Sequence, residues 1–293
     1  MITTPENLHV SDEDANRYRV DGFWISPVLF DDREITELRN ELMRTARRER
    51  DFDSSYWDGF EPNYDPNSVG LTHIVNAWRV NARIREVTTL PVLGAIASKL
   101  TGEPELRLVH DQLIIKPGQG SDKDADPQGN VGWHQDAAHW TVFNTTDFIT
   151  AWVALQDTDE ANGCVRFARG SNQWGLRPDA HSFANRDLEG LQQKYSHDGQ
   201  RQWRDTPAVL KAGQASFHSG LTFHGSAANT TSAPRLSVVV NMMPGGTTYN
   251  ESGRNHGTYS TINSPDGVPG PHVKDGEPCT DPLFPRIWPP AKP

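Results

Sequence analysis

The sequence changes character near residue 105, and this change limits the folds open to the chain. Before it, the pattern predicts helices: one capped by Ser11 and ended by Gly22, a second after Asp31-Asp32, and a third over residues 82–100 that Pro91 would break in two. In the second helix the apolar residues recur at helical spacing, so one face should pack on a core. The N-terminal part, about 1–104, is therefore predicted to be helical.

After residue 105, short apolar runs bounded by turn residues predict strands. Asn162-Gly163 is a strong hairpin signal. Helices followed by many short strands indicate a mainly β fold with flanking helices, a double-stranded β-helix (jelly-roll, cupin-like) barrel. We expect one domain over 1–293, with the barrel at about 105–243 and a tail, 244–293, that wraps the surface. The predicted strands cover 106–116, 148–156, 164–167, 208–210, 214–218 and 236–243.

Composition argues against several classes of partner. The chain has 28 Lys and Arg against 38 Asp and Glu, a formal net charge of −10, which disfavours nucleic acid and anionic membrane surfaces. No apolar run approaches the roughly 20 residues that span a bilayer, and the first residues lack a signal-peptide pattern. Cys164 and Cys279 are the only cysteines. We therefore expect a reduced, cytoplasmic protein, monomeric or homodimeric, that acts on a small molecule.

The stretch Trp133-His134-Gln135-Asp136 is the strongest chemical signal. Side chains on a strand alternate, so a His-x-Asp pair places an imidazole and a carboxylate on one face. With one more histidine the pair completes a two-His-one-carboxylate triad, which leaves open positions on a divalent iron. Alone the pair is weak evidence for a metal site, since the chain contains 11 histidines.

His224 and His218 compete for the third-ligand position, and either could be an ordinary core or surface histidine. We favour His224 because Gly225-Ser226 follows it and Arg235 lies eleven positions on, where an adjacent antiparallel strand would return it beside the ligand. An Arg that enters an apolar strand is costly without an anion, and a guanidinium binds a carboxylate in bidentate fashion. The pattern thus indicates an oxygenase that uses dioxygen, iron and a 2-oxo acid.

Taken together, these motifs resemble the phytanoyl-CoA dioxygenase family of iron(II)- and 2-oxoglutarate-dependent oxygenases. The resemblance covers about residues 105–243. It runs through His110-Asp-Gln-Leu-Ile-Ile-Lys-Pro117, Trp133-His-Gln-Asp136, Ala151-Trp152, Ala161-Asn-Gly-Cys164, Gly213-Gln214, His224-Gly-Ser226, Asn229 and Arg235.

The resemblance implies roles for individual residues. His134, Asp136 and His224 would bind Fe(II). Arg235 and Ser226 would hold the distal carboxylate of 2-oxoglutarate, and O2 would be the oxidant. The remaining cosubstrate contacts would come from Gln112, Trp152, and His73 or its neighbour Ile74.

The resemblance also bears on the reaction. Halogenases of the family replace the metal carboxylate with a small residue; Asp136 is present here, so hydroxylation or a related oxidation of a natural-product intermediate is expected. Desaturation, epimerisation, ring closure and endoperoxide formation are not separable from hydroxylation by sequence. Where the family often has Pro-Gly-Ser-His, this chain has Arg169-Gly-Ser-Asn172, so substrate contacts there do not carry over. The rivals are a cupin-like binding protein, a zinc hydrolase, and an acyl-coenzyme A hydroxylase of the same family.

Three polar segments, 52–67, 119–130 and 177–204, are expected to form the substrate entrance. The first contains the aromatic residues Tyr56, Trp57, Phe60 and Tyr64, which would pack on an organic substrate or tie the loop to the helices. The first two carry many aspartates, which would repel the phosphates of coenzyme A. A free small molecule is therefore the expected substrate. These aspartates are Asp51, at the edge of the first segment, Asp53, Asp58, Asp65, Asp122, Asp124 and Asp126.

Overall fold

Two antiparallel sheets enclose a cavity, and helices cover the outer face of the larger sheet. The computed structural model describes residues 10–52, 64–68, 70–119, 129–196, 201–253, 273–280 and 282–290. The helices are α1 (Asp12–Asp21), α2 (Asp32–Ala46), α3 (Ala82–Thr88), α4 (Pro91–Thr101), α5 (Asp136–His139) and α6 (Leu188–Ser196). The strands are β1 (Phe23–Ile25), β2 (Thr72–Val75), β3 (Leu106–Lys116), β4 (Val131–His134), β5 (Ile149–Ala154), β6 (Arg166–Ala168), β7 (Asp205–Pro207), β8 (Ala215–Ser219), β9 (His224–Ser226), β10 (Arg235–Pro244) and β11 (Arg286–Trp288).

The larger sheet has the strand order β1-β8-β5-β10-β3-β11, with β2 also paired to β3, and the smaller sheet has the order β4-β9-β6-β7. From β3 to β6, and again from β7 to β10, consecutive strands alternate between the two sheets, as in a jelly roll. The predicted fold class is confirmed.

Alternation along the strands separates two environments. On β3, Gln112 and Ile114 face the cavity, whereas Leu113 and Ile115 face the helices. The outward residues join buried side chains of α2, α3 and α4 in the main hydrophobic core. The helices therefore stabilise the large sheet from outside and leave its inner face to polar side chains.

The N-terminal helices begin and end where the sequence predicted. Ser11 and Asp31 each form a reciprocal capping box, with Asp14 and Glu34 respectively. A break between α3 and α4 precedes Pro91, the first residue of α4, and Gly102 caps that helix in the left-handed region. The third polar segment, 177–204, contains one further helix, α6.

Other local predictions were wrong. Asn162-Gly163 forms a turn, but the strand that follows, β6, pairs with β7 and β9 in the smaller sheet and not with β5. The turn therefore carries the chain from one sheet to the other. The strand predicted at 208–210 lies earlier, as β7, and Leu210 makes only an isolated bridge to Thr158. The described part of the tail supplies β11, which pairs with β3, in addition to surface loops.

Both cysteines are buried and free. Among the described residues, the helices are all too short or too polar to cross a bilayer.

A matched pair of glycines tests how tightly α1 is fixed to the barrel. Gly22 and Gly102 both cap helices with positive φ, 84° and 87°. A Cβ at Gly22 would collide with the Thr222 hydroxyl and the Asn172 amide, whereas a Cβ at Gly102 meets nothing within 4 Å. We expect Gly22→Ala to lower the free energy of unfolding by roughly 2–3 kcal/mol and Gly102→Ala by about 1 kcal/mol, measured by denaturant titration. Equal losses would contradict the steric explanation.

Candidate functional site

Two short strands of the smaller sheet bring the histidines of the predicted triad together. His134 on β4 lies directly opposite His224 on β9, and their ring centroids are 4.1 Å apart. Asp136 Oδ1 lies 3.7 Å from His134 Nε2 and 3.6 Å from His224 Nε2. One ligand atom from each residue falls within 4.8 Å of the others, so the three buried side chains can hold a metal ion.

The ring nitrogens of both histidines are oriented for metal binding. The Nδ1–H of His134 donates to the Gly132 carbonyl at 2.7 Å, and that of His224 donates to the Thr222 carbonyl at 3.0 Å. These bonds fix the tautomer and leave both Nε2 lone pairs directed at Asp136. Burial lowers the pKa of His134 to about 3 and that of His224 to about 4, so both rings are neutral at neutral pH and can act as ligands.

Asp136 is not part of the strand, which corrects the expectation that both ligands lie on one. β4 ends at His134, Gln135 is extended, and Asp136 is the first residue of α5. Alternation still holds across the extended Gln135, so the two ligands share a face. The Gln135 side chain points the other way and is fully buried, where it binds the backbone of Gly175, Leu221 and Arg177. These hydrogen bonds hold the segment His134–Asp136 in place from the side opposite the metal ligands.

The two histidines that compete as third ligand approach different oxygens of the Asp136 carboxylate: His224 lies near Oδ1 and His218 near Oδ2. Asp136 Oδ2 accepts a 2.7 Å hydrogen bond from the Thr150 hydroxyl and lies 3.4 Å from His218 Nε2. His218 and Thr150 are opposite one another on β8 and β5 of the larger sheet. Both contact the oxygen that faces away from the other two histidines, so the geometry favours His224 over His218 as the third ligand.

Arg235 lies in the larger sheet, at the start of β10, whereas His224 lies in the smaller one. The expectation that an adjacent strand returns it beside His224 was wrong; it faces the smaller sheet across the barrel because β9 and β10 belong to different sheets. Arg235 is 2% exposed, its guanidinium stacks on Trp152 at 4.9 Å, and Nη1 donates to the Gly163 carbonyl at 2.9 Å. Burial lowers its pKa to about 10, so an anion beside it would be strongly favoured.

Sequence reasoning assigned no role to Lys116, which is fully buried directly opposite Arg235 on β3. Its Nζ donates to Ser226 Oγ at 2.6 Å and also to the Ala227 carbonyl. Its position could have been predicted from strand periodicity. His110, Gln112, Ile114 and Lys116 occupy every second position of one strand, so their side chains point to the same face.

The three candidate metal ligands and Arg235 line a cavity of about 380 Å³. Gln112 and Trp152, the predicted cosubstrate contacts, line it, and the Gln112 amide donates to His110 Nε2 at 2.9 Å. His73 lines it too and stacks on Phe183, whereas Ile74 is buried in the main core. Further lining residues include Asn76, His110, His139, Trp140, Thr150, Ser226 and Asn241.

The expected entrance loops are only partly described. Phe183, in the third segment, reaches the cavity and contacts the His134 ring at 5.2 Å between centroids. Tyr64 of the first segment packs on the main core, which favours the view that it ties the loop to the helices. Most of the first and second segments, including Tyr56, Trp57 and Phe60 and the aspartates at 53, 58, 122, 124 and 126, lies outside the described residues.

Comparison with known proteins agrees with this geometry. Residues 18–237, well over half of the chain, match the phytanoyl-CoA dioxygenase (PhyH) family. The chain belongs to this family. Membership makes it an oxygenase dependent on iron, 2-oxoglutarate and dioxygen, and it sets aside the binding-protein and zinc-hydrolase interpretations.

Two curated proteins with different names are similar to this chain over most of its length. The peroxisomal phytanoyl-CoA dioxygenase of Rattus norvegicus is 27% identical over 248 residues, which is 80% of this chain and 69% of the relative. The ectoine dioxygenase of Bordetella parapertussis is 24% identical over 250 residues, 78% of this chain and 74% of that protein.

Solved structures extend the similarity over nearly the whole chain. The epimerase SnoN, in complex with Fe3+, alpha ketoglutarate and nogalamycin RO, is 27% identical with a TM-score of 0.72, covering 94% of this chain and 98% of SnoN. The carbocyclase SnoK from nogalamycin biosynthesis has a TM-score of 0.71 at 23% identity, covering 98% of this chain and 99% of SnoK, and supports the fold alone.

The contrast between Asp136 and His218 gives a direct test of the metal centre. Asp136→Ala removes the only carboxylate of the triad, and we expect it to weaken Mn(II) or anaerobic Fe(II) binding by at least roughly a hundredfold in calorimetry. His218→Ala leaves the three ligands in place and should retain binding within about tenfold. If His218→Ala abolishes metal binding while His224→Ala does not, the ligand set is wrong.

Proposed function

We propose that His134, Asp136 and His224 bind the iron, that Arg235 and Ser226 hold the distal carboxylate of 2-oxoglutarate, and that the enzyme oxidises an unactivated carbon of a small, uncharged organic substrate. Hydroxylation is the proposed outcome, with succinate and carbon dioxide released. We further propose that residues 1–293 form a single domain and that the enzyme acts in the cytoplasm as a monomer or homodimer. Its proposed partner is a small molecule, and neither nucleic acid nor a membrane is a binding partner.

The proposal rests on one observation: the candidate metal triad and the buried guanidinium of Arg235 line the same cavity. The triad presents two neutral imidazoles and one carboxylate, a donor set that suits iron and leaves coordination positions for other ligands. At the other end lies a buried guanidinium, and no described carboxylate pairs with it. A 2-oxo acid with a second carboxylate satisfies both ends at once.

Each residue group has a defined part in this mechanism. Bound iron, with 2-oxoglutarate and dioxygen, supplies the oxidising power that removes hydrogen from the substrate carbon. Arg235 and Ser226 fix the cosubstrate at its far end, and the stacked Trp152 holds the guanidinium plane in place. Thr150 holds the carboxylate of Asp136 in one orientation. The apolar walls Ile114 and Val239 exclude water along the cavity.

The remaining lining defines the chemistry of the substrate. His73, Asn76, His110, Trp140, Phe183 and Asn241 line the cavity away from Arg235. Burial lowers the pKa of His110 to about 3, so its ring is neutral at neutral pH. Such a wall offers hydrogen bonds and aromatic faces but no charge, which suits an uncharged polar molecule with a flat apolar part. SnoN, similar over nearly the whole chain, was solved with nogalamycin RO, which supports a natural-product substrate.

An acyl-coenzyme A substrate is the second candidate, favoured by the name of the rat relative. Coenzyme A phosphates usually meet Lys or Arg clusters. Among the described lining residues Arg235 is the only Lys or Arg, and the proposal reserves it for 2-oxoglutarate. This arrangement favours a free small molecule.

The decisive experiment is a succinate-release assay with Fe(II), 2-oxoglutarate and oxygen across a panel of uncharged polycyclic and amino-acid-derived metabolites, free acids and acyl-coenzyme A esters. A gain of one oxygen atom in the consumed compound identifies hydroxylation, and a loss of two hydrogens identifies ring closure or desaturation. A product of unchanged mass in ordinary water that gains about one mass unit in deuterated water identifies epimerisation. Saturable turnover of an acyl-coenzyme A with the free acid inert would overturn the substrate proposal.

Removal of Arg235 should act on the cosubstrate alone. Arg235→Ala is expected to raise the apparent requirement for 2-oxoglutarate by roughly one to two orders of magnitude, the scale of a lost charge-assisted bond of about 1.5–3 kcal/mol. Arg235→Lys should not restore it, because an ammonium cannot reproduce the bidentate fork. Succinate formation at varied 2-oxoglutarate measures the effect, and an unchanged requirement in the alanine variant would remove Arg235 from the mechanism.

A further inference from the structure

Two buried basic side chains lie side by side where Arg235 lines the cavity. Lys116 on β3 and Arg235 on β10 are direct cross-strand partners, 0% and 2% exposed. Like charges opposite one another in a sheet destabilise it, and burial adds a desolvation cost. Among the described residues no carboxylate contacts either side chain. A fold keeps such a pair only if something else stabilises it.

The neighbouring groups do not supply the missing negative charge. Cys164 lies nearby, but burial raises the pKa of its thiol to about 11, so the thiol is neutral. Arg186 is the other charged group that affects Lys116, and it adds repulsion. The acceptors that Lys116 reaches, Ser226 Oγ and the Ala227 carbonyl, are uncharged. Burial first and then Arg235 lower the pKa of Lys116 well below its ordinary value, as expected for a cation without a counter-ion.

Lys116 does not line the cavity itself but lies behind Ser226, which does. A carboxylate bound beside Arg235 would favour the protonated form of Lys116, and an ammonium only donates, so the Ser226 oxygen then accepts from Lys116. The serine proton then points away from Lys116 and is free for another acceptor. Because Ser226 and Arg235 line the same end of the cavity, that acceptor can be the carboxylate that Arg235 binds.

We propose that Lys116 is a positioning residue for the cosubstrate: it orients the Ser226 hydroxyl toward the distal carboxylate and adds the second positive charge that selects a 2-oxo dicarboxylic acid over a 2-oxo monocarboxylic acid. This inference rests on the proposed function of Arg235 and Ser226. It assigns the buried lysine a role in cosubstrate choice and not in holding the barrel together.

The test compares two ligands that differ only at the far end. 2-Oxoglutarate and 2-oxopentanoate share chain length and the metal-binding 2-oxo acid group, but the second ends in a methyl group. Calorimetric titration of each into the Mn(II)-loaded protein measures affinity without turnover. Lys116→Met keeps the length of the side chain and removes its charge. Lys211→Met is the matched control, because Lys211 is exposed and pairs with Asp157 on the surface.

We expect Lys116→Met to weaken 2-oxoglutarate binding about tenfold and to leave 2-oxopentanoate binding unchanged. Its melting temperature without ligand should equal or exceed that of the wild type, because an apolar side chain replaces an unpaired buried cation. Lys211→Met should bind both ligands as the wild type does. The double variant Lys116→Met/Ser226→Ala should lose less 2-oxoglutarate affinity than the two single fold-losses multiplied together, because both changes disturb the same hydrogen bond.

A purely structural lysine would give the opposite pattern: a lower melting temperature, with both ligands weakened equally or neither affected. That result would overturn the inference, as would losses that multiply in the double variant. Failure of the wild type itself to bind 2-oxoglutarate more tightly than 2-oxopentanoate would instead refute the proposed role of Arg235 and Ser226, so the two failures are distinguishable.

Discussion

The register between β4 and β9 is the constraint on which the site depends. It sets His134 directly opposite His224, and a slip of one residue would turn one ring to the outer face of the smaller sheet. The short helix α5 then places Asp136 against both rings, and backbone carbonyls hold each imidazole in the tautomer that a metal needs. The convergence of the three candidate ligands is therefore a consequence of strand pairing.

The larger sheet also pairs two side chains of the site across neighbouring strands, here a lysine and an arginine. Its register sets Lys116 against Arg235, so each sheet brings one cross-strand pair of polar side chains to the cavity or directly behind its wall. The Lys116–Ser226 hydrogen bond joins the two sheets there. Because α2, α3 and α4 pack on the outer face of the larger sheet, its inner face can carry polar groups without weakening the main core.

Much of this was predictable from sequence because the signals are local. Capping residues defined α1 and α2, and alternation placed His134 and Asp136 on one face even though a helix begins between them. The predictions that failed depended on contacts between residues far apart in the sequence. The partner of Arg235 and the fate of the Asn162-Gly163 turn depend on which sheet each strand joins, and neither spacing nor turn chemistry specifies that. Very short strands such as β1, β2 and β11 also escaped prediction, because three or four residues carry too little periodicity.

The buried Gln135 side chain has a consequence for how the enzyme acquires its activity. Its amide clamps the metal motif to the backbone at Gly175, Leu221 and Arg177, on the side away from the cavity. The ligand geometry is thus built by the polypeptide before any ion arrives, unlike small metal-dependent domains that fold only around their metal. Under the proposed ligand set, an ion lost from the site would be replaced without the chain passing through an unfolded state.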